Sequence, residues 1–210
     1  MRNATRNIAS WFGVVAGIAG IEHGYFEILQ GNVRPDSLMF PSMGPPCVPE
    51  EVWNACEPAL TVIPSFLVTG ILAIIAGLAI LIWAAAFVQR KQGGVILILL
   101  SIALLLVGGG IFPPLIGIVA GLAGTKINAP LPKQPGRLYG SILHFLAKLW
   151  PWPFVILLVW LFGQWIVGYY FNEFMQKNGY LNLVLILGLL PLSLLCGYAF
   201  DVHARGRDVD

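Results

Sequence analysis

The sequence predicts an all-α membrane protein with four transmembrane helices and a re-entrant helical hairpin broken by glycine and proline. Of its 210 residues, 58% are hydrophobic and 10% are charged, whereas a soluble domain carries about 25% charged residues. Four apolar runs are long enough to cover the ~30 Å hydrocarbon core of a bilayer. They lie at roughly 8–28, 59–88, 150–171 and 180–200. Together they predict one integral membrane domain over residues 1–210.

The first apolar run follows a basic N-terminus, MRNATRN. No small-x-small cleavage site precedes His23 and Glu27, so we expect an uncleaved signal-anchor helix. The basic residues are scattered at the ends of apolar runs, and the net charge of +2 therefore does not indicate a nucleic acid partner. The lipid bilayer is the partner that this composition predicts.

A fifth apolar run, 93–124, is interrupted in its middle. A straight helix of this length would measure about 48 Å, which exceeds the thickness of the hydrocarbon core. The glycines lower helix propensity, and the prolines remove donors and clash with the preceding turn. The interrupting residues are Gly108, Gly109, Gly110, Pro113 and Pro114. Two alternatives follow: a re-entrant hairpin, or a kinked fifth transmembrane helix.

The distribution of Lys and Arg favours the hairpin. With a cytoplasmic N-terminus and a hairpin at 93–124, ten basic residues lie inside and two, Arg34 and Lys177, lie outside. A single span there gives 5 inside and 7 outside, or 7 and 5 when inverted. Because basic residues accumulate on the cytoplasmic side, we expect both termini there, including a tail at 202–210. The loop 29–58 is then outside the cell membrane.

That outer loop holds Cys47 and Cys56, nine positions apart in a proline-rich stretch. An oxidising exterior allows them to form a structural disulfide, which is our prediction. The alternative is that the thiols are free or used otherwise. The CxxC spacing of redox-active pairs is absent.

Four glycines form one stripe on the first predicted span: Gly13, Gly17, Gly20 and Gly24. Their spacing of four, three and four places them on one helical face, and it includes two GxxxG motifs. Small residues on one face let a second helix approach closely. The stripe is therefore a predicted helix-packing surface.

The same span ends in polar residues: Glu22, His23 and Glu27. His23 and Glu27 are separated by one helical turn, so their side chains can meet. Glu22 lies about 21 Å along a helix that enters the membrane at Ile8. Ionisable groups at such depth need protein partners or water, and they are functional candidates by default.

The second predicted span begins with a series of polar residues at steps of four: Glu57, Thr61, Ser65 and Thr69. On a helix these would form one polar stripe. We expect this stripe and the acidic end of the first span to line one cavity open to the outside. Gln164 is expected to mark the end of the third span.

The chemistry of this cavity stays open at the level of sequence. Imidazole and carboxylates suit several divalent metal ions, although no HExxH motif is present. A proton relay is a second use of the same groups, since histidine titrates near neutral pH. In a third interpretation the polar groups only bond within their own helices. The sequence identifies no cofactor.

Two segments, GIEHGYFEILQGN and PALTVIPSFLVTGILAIIAGLAILIWAAAFVQRK, resemble a group of small bacterial integral membrane proteins without an assigned activity. The resemblance covers about half of the chain. It implies a bacterial cytoplasmic membrane and no mechanism.

Three functions follow as hypotheses. The first is a small transport or permeation module with an outward-facing polar cavity, which would form a homo-oligomer because few spans leave little room for a path. The second is a structural or accessory subunit of a larger membrane complex, with the glycine stripe and acids facing partners. The third is a membrane enzyme with a site built from Glu and His.

Overall fold

The computed structural model describes residues 3–43, 48, 54–130 and 137–207. In this part of the chain there are eight α-helices and one small antiparallel β-ribbon. In chain order the elements are α1 (Asn3–Leu29), β1 (Met39–Pro41), β2 (Pro58–Leu60), α2 (Phe66–Ala86), α3 (Gly93–Leu106), α4 (Phe112–Lys126), α5 (Arg137–Leu149), α6 (Trp152–Tyr170), α7 (Asn172–Lys177) and α8 (Gly179–Arg207). Helices α1, α2, α6 and α8 are long and apolar enough to cross a membrane, which confirms the four predicted spans.

Helix α1 is the central helix of the bundle. Half of its most apolar window is buried, against 33% for α2 and 28% for α6. It contacts α2 along its length and also packs against α4, α6 and α8. Its buried side chains Ile8 and Phe12 belong to the largest hydrophobic cluster. The polar end of α1 is therefore held by neighbours from several parts of the chain.

The contact between α1 and α2 depends on glycines of both helices. A Cβ atom on Gly17 would lie 2.7 Å from the carbonyl oxygen of Gly77, and one on Gly24 would lie 2.6 Å from that of Gly70. No side chain fits at such distances, so the two backbones approach directly. The pairing order, early with late, shows that the helices are antiparallel.

The other two glycines of the predicted stripe face different neighbours. Gly13 lies against Ala84 of α2, whereas Gly20 lies against the side chain of Leu104 on α3. The stripe thus contacts α2 at three positions and α3 at two, because Gly13 also lies near Leu97 of α3. Gly20 faces α3 because α3 packs against both α1 and α2. The stripe therefore does not serve one partner helix alone.

Helix α2 begins seven residues later than the predicted span. The prediction of a helical polar stripe from Glu57 to Thr69 is therefore wrong, since residues 58–60 form strand β2. Its register pairs Met39 with Leu60 and Pro41 with Pro58. Prolines disfavour the helical conformation in the residue before them, and Pro58 and Pro64 both precede α2.

The segment 93–126 is a helical hairpin. The chain reverses at 107–111, so that Gly94 near the start of α3 lies against Gly121 near the end of α4. Gly108 and Gly110 have φ angles of +91° and +78°, which side chains with a Cβ rarely adopt. Pro113 and Pro114 lie in the first turn of α4, where the missing N–H groups would be unpaired in any case. The predicted break is thus located at these residues.

Hydrogen bonds join the reversal at 107–111, called here the hairpin tip, to the β-ribbon. The amide of Gly108 donates to the carbonyl of Leu60 at 2.9 Å, and the amide of Val62 donates to that of Leu106 at 3.1 Å. The hydroxyl of Thr69 donates to the carbonyl of Val107 at 2.7 Å. Backbone groups freed by the break are therefore bonded to the ribbon and to α2.

The last helix, α8, reaches back to the first. The carboxylate of Asp201 accepts hydrogen bonds from the amides of Ala4 at 3.1 Å and Thr5 at 2.9 Å, and from the Thr5 hydroxyl at 2.6 Å. It therefore caps the N-terminus of α1. The sequence predicts a tail at 202–210, but α8 continues through Arg207, and residues 208–210 lie outside the described part.

Candidate functional site

The polar residues at the C-terminal end of α1 meet three other parts of the chain. These are the segment around β1, the segment before β2, and the hairpin tip. Glu22, His23 and Glu27 come from the last turns of the long helix α1. Most of the residues that contact them lie in loops or turns. Each of the three side chains has different partners.

His23 faces Glu57. The Nε2 atom of His23 lies 3.4 Å from an oxygen of Glu57, and the exposed fractions of the two side chains are 1% and 27%. The Nδ1 atom of His23 is buried and has no hydrogen-bond partner among the described residues. The one-turn spacing predicts a contact between His23 and Glu27. The observed partner of His23 is Glu57, which lies directly before β2.

Glu27 is fully buried. The hydroxyl of Ser42 donates to its Oε1 atom at 3.2 Å, whereas its Oε2 atom is buried with no partner among the described residues. A Cβ atom on Gly108 would overlap both carboxylate oxygens. Glu27 is thus enclosed directly beneath the hairpin tip.

The hairpin tip also contacts His23. A Cβ atom on Gly110 would overlap the Nε2 atom of the imidazole. Gly108 and Gly110 therefore need to be glycine for two reasons, the positive φ angle and the lack of space. The break that the sequence predicts is the element that encloses the polar end of α1.

Glu22 bonds to the segment before β2. The amide of Asn54 donates to an oxygen of Glu22 at 3.3 Å and also lies 2.7 Å from the sulfur of Met43. Glu22 is partly exposed, unlike Glu27. It is therefore the more accessible of the two acids on α1.

A cavity of about 70 Å³ lies beside Glu22, His23 and Glu57. Its other walls come from α1, α4, α6 and α8 and from Met43 and Asn54, and they are mostly apolar. Phe112 and Trp165 are among them. No lysine or arginine is among the described residues that line it. The volume admits a few water molecules, because one needs about 10–15 Å³ by this measure.

The other predicted cavity residues lie elsewhere. The hydroxyls of Thr61 and Thr69 are 2.6 Å apart and bond to the hairpin tip through Val107. Ser65 is half-buried, accepts from the amide of Val68 as the N-cap of α2, and donates to the side-chain oxygen of Asn32 at 2.8 Å. Glu27 lies under the tip and does not line the cavity. The prediction of one shared cavity for all seven residues is therefore wrong.

The sequence analysis did not identify three polar residues that line the cavity: Asn54, Gln164 and Asn182. Gln164 and Asn182 line the cavity from α6 and α8. The Oε1 atom of Gln164 is buried and unpartnered among the described residues, while Asn182 accepts a hydrogen bond from the indole of Trp160 at 2.9 Å. A polar amide residue inside an apolar helix is the sequence signal that could have indicated Gln164. The prediction that Gln164 marks the end of its span does not hold, because α6 continues to Tyr170.

Metal binding by this cluster has no support in the described part of the chain. There, no group of three or more His, Cys, Asp or Glu side chains is arranged to hold a metal ion. Cys47 lies outside the described residues, so its pairing with Cys56 stays a prediction.

Comparisons with known proteins identify no relative of this chain. No family model matches the chain, and no curated protein or solved structure matches it either. The resemblance to small bacterial membrane proteins therefore stays an expectation. The function must be argued from the site.

Proposed function

We propose that the protein is a small permeation module for cations in a membrane, with the cavity at Glu22, His23 and Glu57 as its entry. The observation that carries this proposal is the charge of the cavity. Two carboxylates line it, and no Lys or Arg of the described chain does. Ionisable groups in apolar helices are expensive and mark ion or substrate paths.

The hairpin supports the same proposal. Non-helical backbone at membrane depth is tolerated where it is buried in protein or lines a water-filled cavity. We propose that the hairpin is re-entrant, since α3 and α4 contain 14 and 15 residues, about 21 and 22 Å. The tip lies against both His23, which lines the cavity, and Glu27, and we propose it as the position of a gate in the path.

We further propose that both termini are cytoplasmic and that the cysteine-containing loop is outside a bacterial cell membrane. The contact of Asp201 with the start of α1 supports a common side for the two ends of the chain. The positive-inside rule supports the cytoplasmic assignment. Four candidate spans leave little room for a path, so we propose a homo-oligomer.

The test is cation flux into proteoliposomes that contain the purified full-length chain. Potassium, sodium and proton movement are followed with ion-sensitive dyes. We expect flux above that of empty vesicles, and we expect Glu22→Gln and Glu57→Gln each to reduce it. The matched control is Glu173→Gln, because Glu173 is 82% exposed and pairs only locally with Lys177. Flux equal to empty vesicles, or unchanged in both cavity variants, contradicts the proposal.

A second candidate function is an accessory subunit of a larger membrane complex. The observation that favours it is the low burial of α6, whose Val159 and Ile166 are 66% and 64% exposed. Such a face suits either lipid or a partner helix. Native mass spectrometry after gentle extraction distinguishes the two functions. Companion chains at fixed stoichiometry favour the subunit, whereas a bare homo-oligomer favours the permeation module.

A further inference from the structure

We infer that the cavity binds a small ammonium-type cation, ammonium or methylammonium, as its ligand. This inference rests on the proposed function and specifies the substrate class of the same site. Three features of the cavity carry it: its set of hydrogen-bond acceptors, its aromatic walls and its volume. The acceptors and the aromatic walls favour an N–H cation over a bare alkali metal ion, and the volume admits a small one.

Several hydrogen-bond acceptors line the cavity. Glu22 and Glu57 supply carboxylate oxygens, and Gln164 supplies an Oε1 atom that is buried without a partner among the described residues. An ammonium group carries several N–H donors and can bond to more than one of these oxygens at once. The negative charge of the carboxylates strengthens such bonds.

His23 adds an acceptor of a different kind. Its Nε2 atom faces the Glu57 carboxylate at 3.4 Å, which favours the proton on this nitrogen. The buried Nδ1 atom, which has no partner in the described chain, then offers a lone pair. An imidazole lone pair accepts an N–H bond readily, whereas hard cations prefer carboxylate, carbonyl and water oxygens.

Aromatic side chains line the same cavity. Phe112 comes from α4, while Phe162 and Trp165 come from α6. A cation near the face of an aromatic ring is attracted by the quadrupole of the ring, and ammonium groups in aromatic surroundings are recognised in this way. A strongly hydrated metal ion would gain less from apolar walls, because they cannot replace its water ligands.

The volume admits a small ligand. About 70 Å³ holds about five to seven water-sized groups, so ammonium and methylammonium fit with room for water. Tetramethylammonium carries no N–H donor and cannot bond to the cavity oxygens, so we expect it not to displace methylammonium.

The test measures binding of radiolabelled methylammonium to the full-length protein in detergent or nanodiscs. We expect saturable binding that ammonium displaces and that equal concentrations of sodium, potassium or tetramethylammonium do not. Gln164→Leu removes the free amide oxygen and is expected to weaken binding about tenfold or more. Trp165→Leu is expected to weaken it about 2- to 30-fold.

Two controls keep the result interpretable. Trp152→Leu changes an exposed tryptophan of α6 that does not line the cavity, and it should bind as the wild type does. Gln164→Glu retains an acceptor oxygen and should restore binding if Gln164→Leu loses it. Size-exclusion profiles show whether each variant is folded before its binding is compared.

The inference fails if sodium or potassium displaces methylammonium as well as ammonium does. It also fails if methylammonium does not bind while the proteoliposomes still conduct protons or alkali cations. In both cases the permeation proposal survives with another ligand. If neither binding nor cation flux occurs, both proposals fall.

Discussion

Gly108 of the hairpin tip lies directly over the carboxylate of Glu27, and a single added methyl group at this position would overlap both carboxylate oxygens. Residues 81 positions apart in the chain thus lie in close contact. The ribbon holds the tip in place through the bond from Gly108 to Leu60. This relationship leads to the first stability prediction.

Gly108→Ala is expected to lower the free energy of unfolding by about 2–5 kcal/mol. The positive φ angle costs a residue with a Cβ about 1–2 kcal/mol, and overpacking a buried site costs about 1–3 kcal/mol more. Thermal unfolding in detergent, followed by intrinsic fluorescence, measures the effect. The matched control is Gly163→Ala, since nothing lies within 4 Å of a Cβ at that helical glycine. Equal stability of the two variants would contradict the described tip.

Gly24→Ala is expected to separate α1 from α2 and to lower the melting temperature. Its added Cβ would lie 2.6 Å from the Gly70 carbonyl, and this backbone cannot move aside as a flexible side chain can. The control is Gly188→Ala on α8, where the space is open. A melting temperature within error of that control would show that the α1–α2 contact is looser than described.

Ser42→Ala is expected to destabilise the wild-type protein and to have little effect once Glu27 is replaced by leucine. The serine is the observed donor to the buried carboxylate, and an unpaired buried polar group costs about 1–3 kcal/mol. A double-mutant cycle of Ser42→Ala with Glu27→Leu measures the coupling, which we expect to be about 1–2 kcal/mol. Additive effects of the two substitutions would mean that the bond contributes nothing.

Asp201→Ala is expected to destabilise the start of α1. The carboxylate satisfies two backbone amides and one hydroxyl there, and loss of an N-cap costs about 0.5–2 kcal/mol. Hydrogen exchange should rise at residues 4–8 and stay unchanged at the end of α1. The control is Asp36→Ala, because Asp36 is exposed in the loop before β1. Equal exchange in both variants would refute the cap.

The predicted pair Cys47–Cys56 has a simple chemical readout. In the denatured protein without reductant, a maleimide should react only with Cys196, which is free and buried in the fold. After reduction, two further thiols should react. Mass spectrometry counts the adducts, and the Cys196→Ser variant provides the baseline. Three adducts before reduction would exclude the disulfide.

Composition and apolar run lengths were enough to predict the four long helices and the interrupted segment. Those features are local: a run of about 20 apolar residues and a cluster of Gly and Pro each carry their own signal. The glycine stripe on α1 has the same local character, since spacing alone defines its face. The error at Glu57–Thr69 is also instructive, because steps of four have meaning only where the chain is helical.

The partners of the polar residues could not be read from spacing. His23 meets Glu57 only because a short ribbon pairs residues about 20 positions apart. Gln164 and Asn182 join the site through the packing of α6 and α8 around α1. Such contacts depend on tertiary arrangement, and a single sequence contains no direct signal for them.

The bonds from Asp201 to the start of α1 join residues 197 positions apart. During synthesis the first turn of α1 therefore stays uncapped until the last helix has emerged from the ribosome. A nascent chain that stops before residue 201 lacks this cap. The order of synthesis therefore delays the capping of the first helix until most of the helices that surround it have been made.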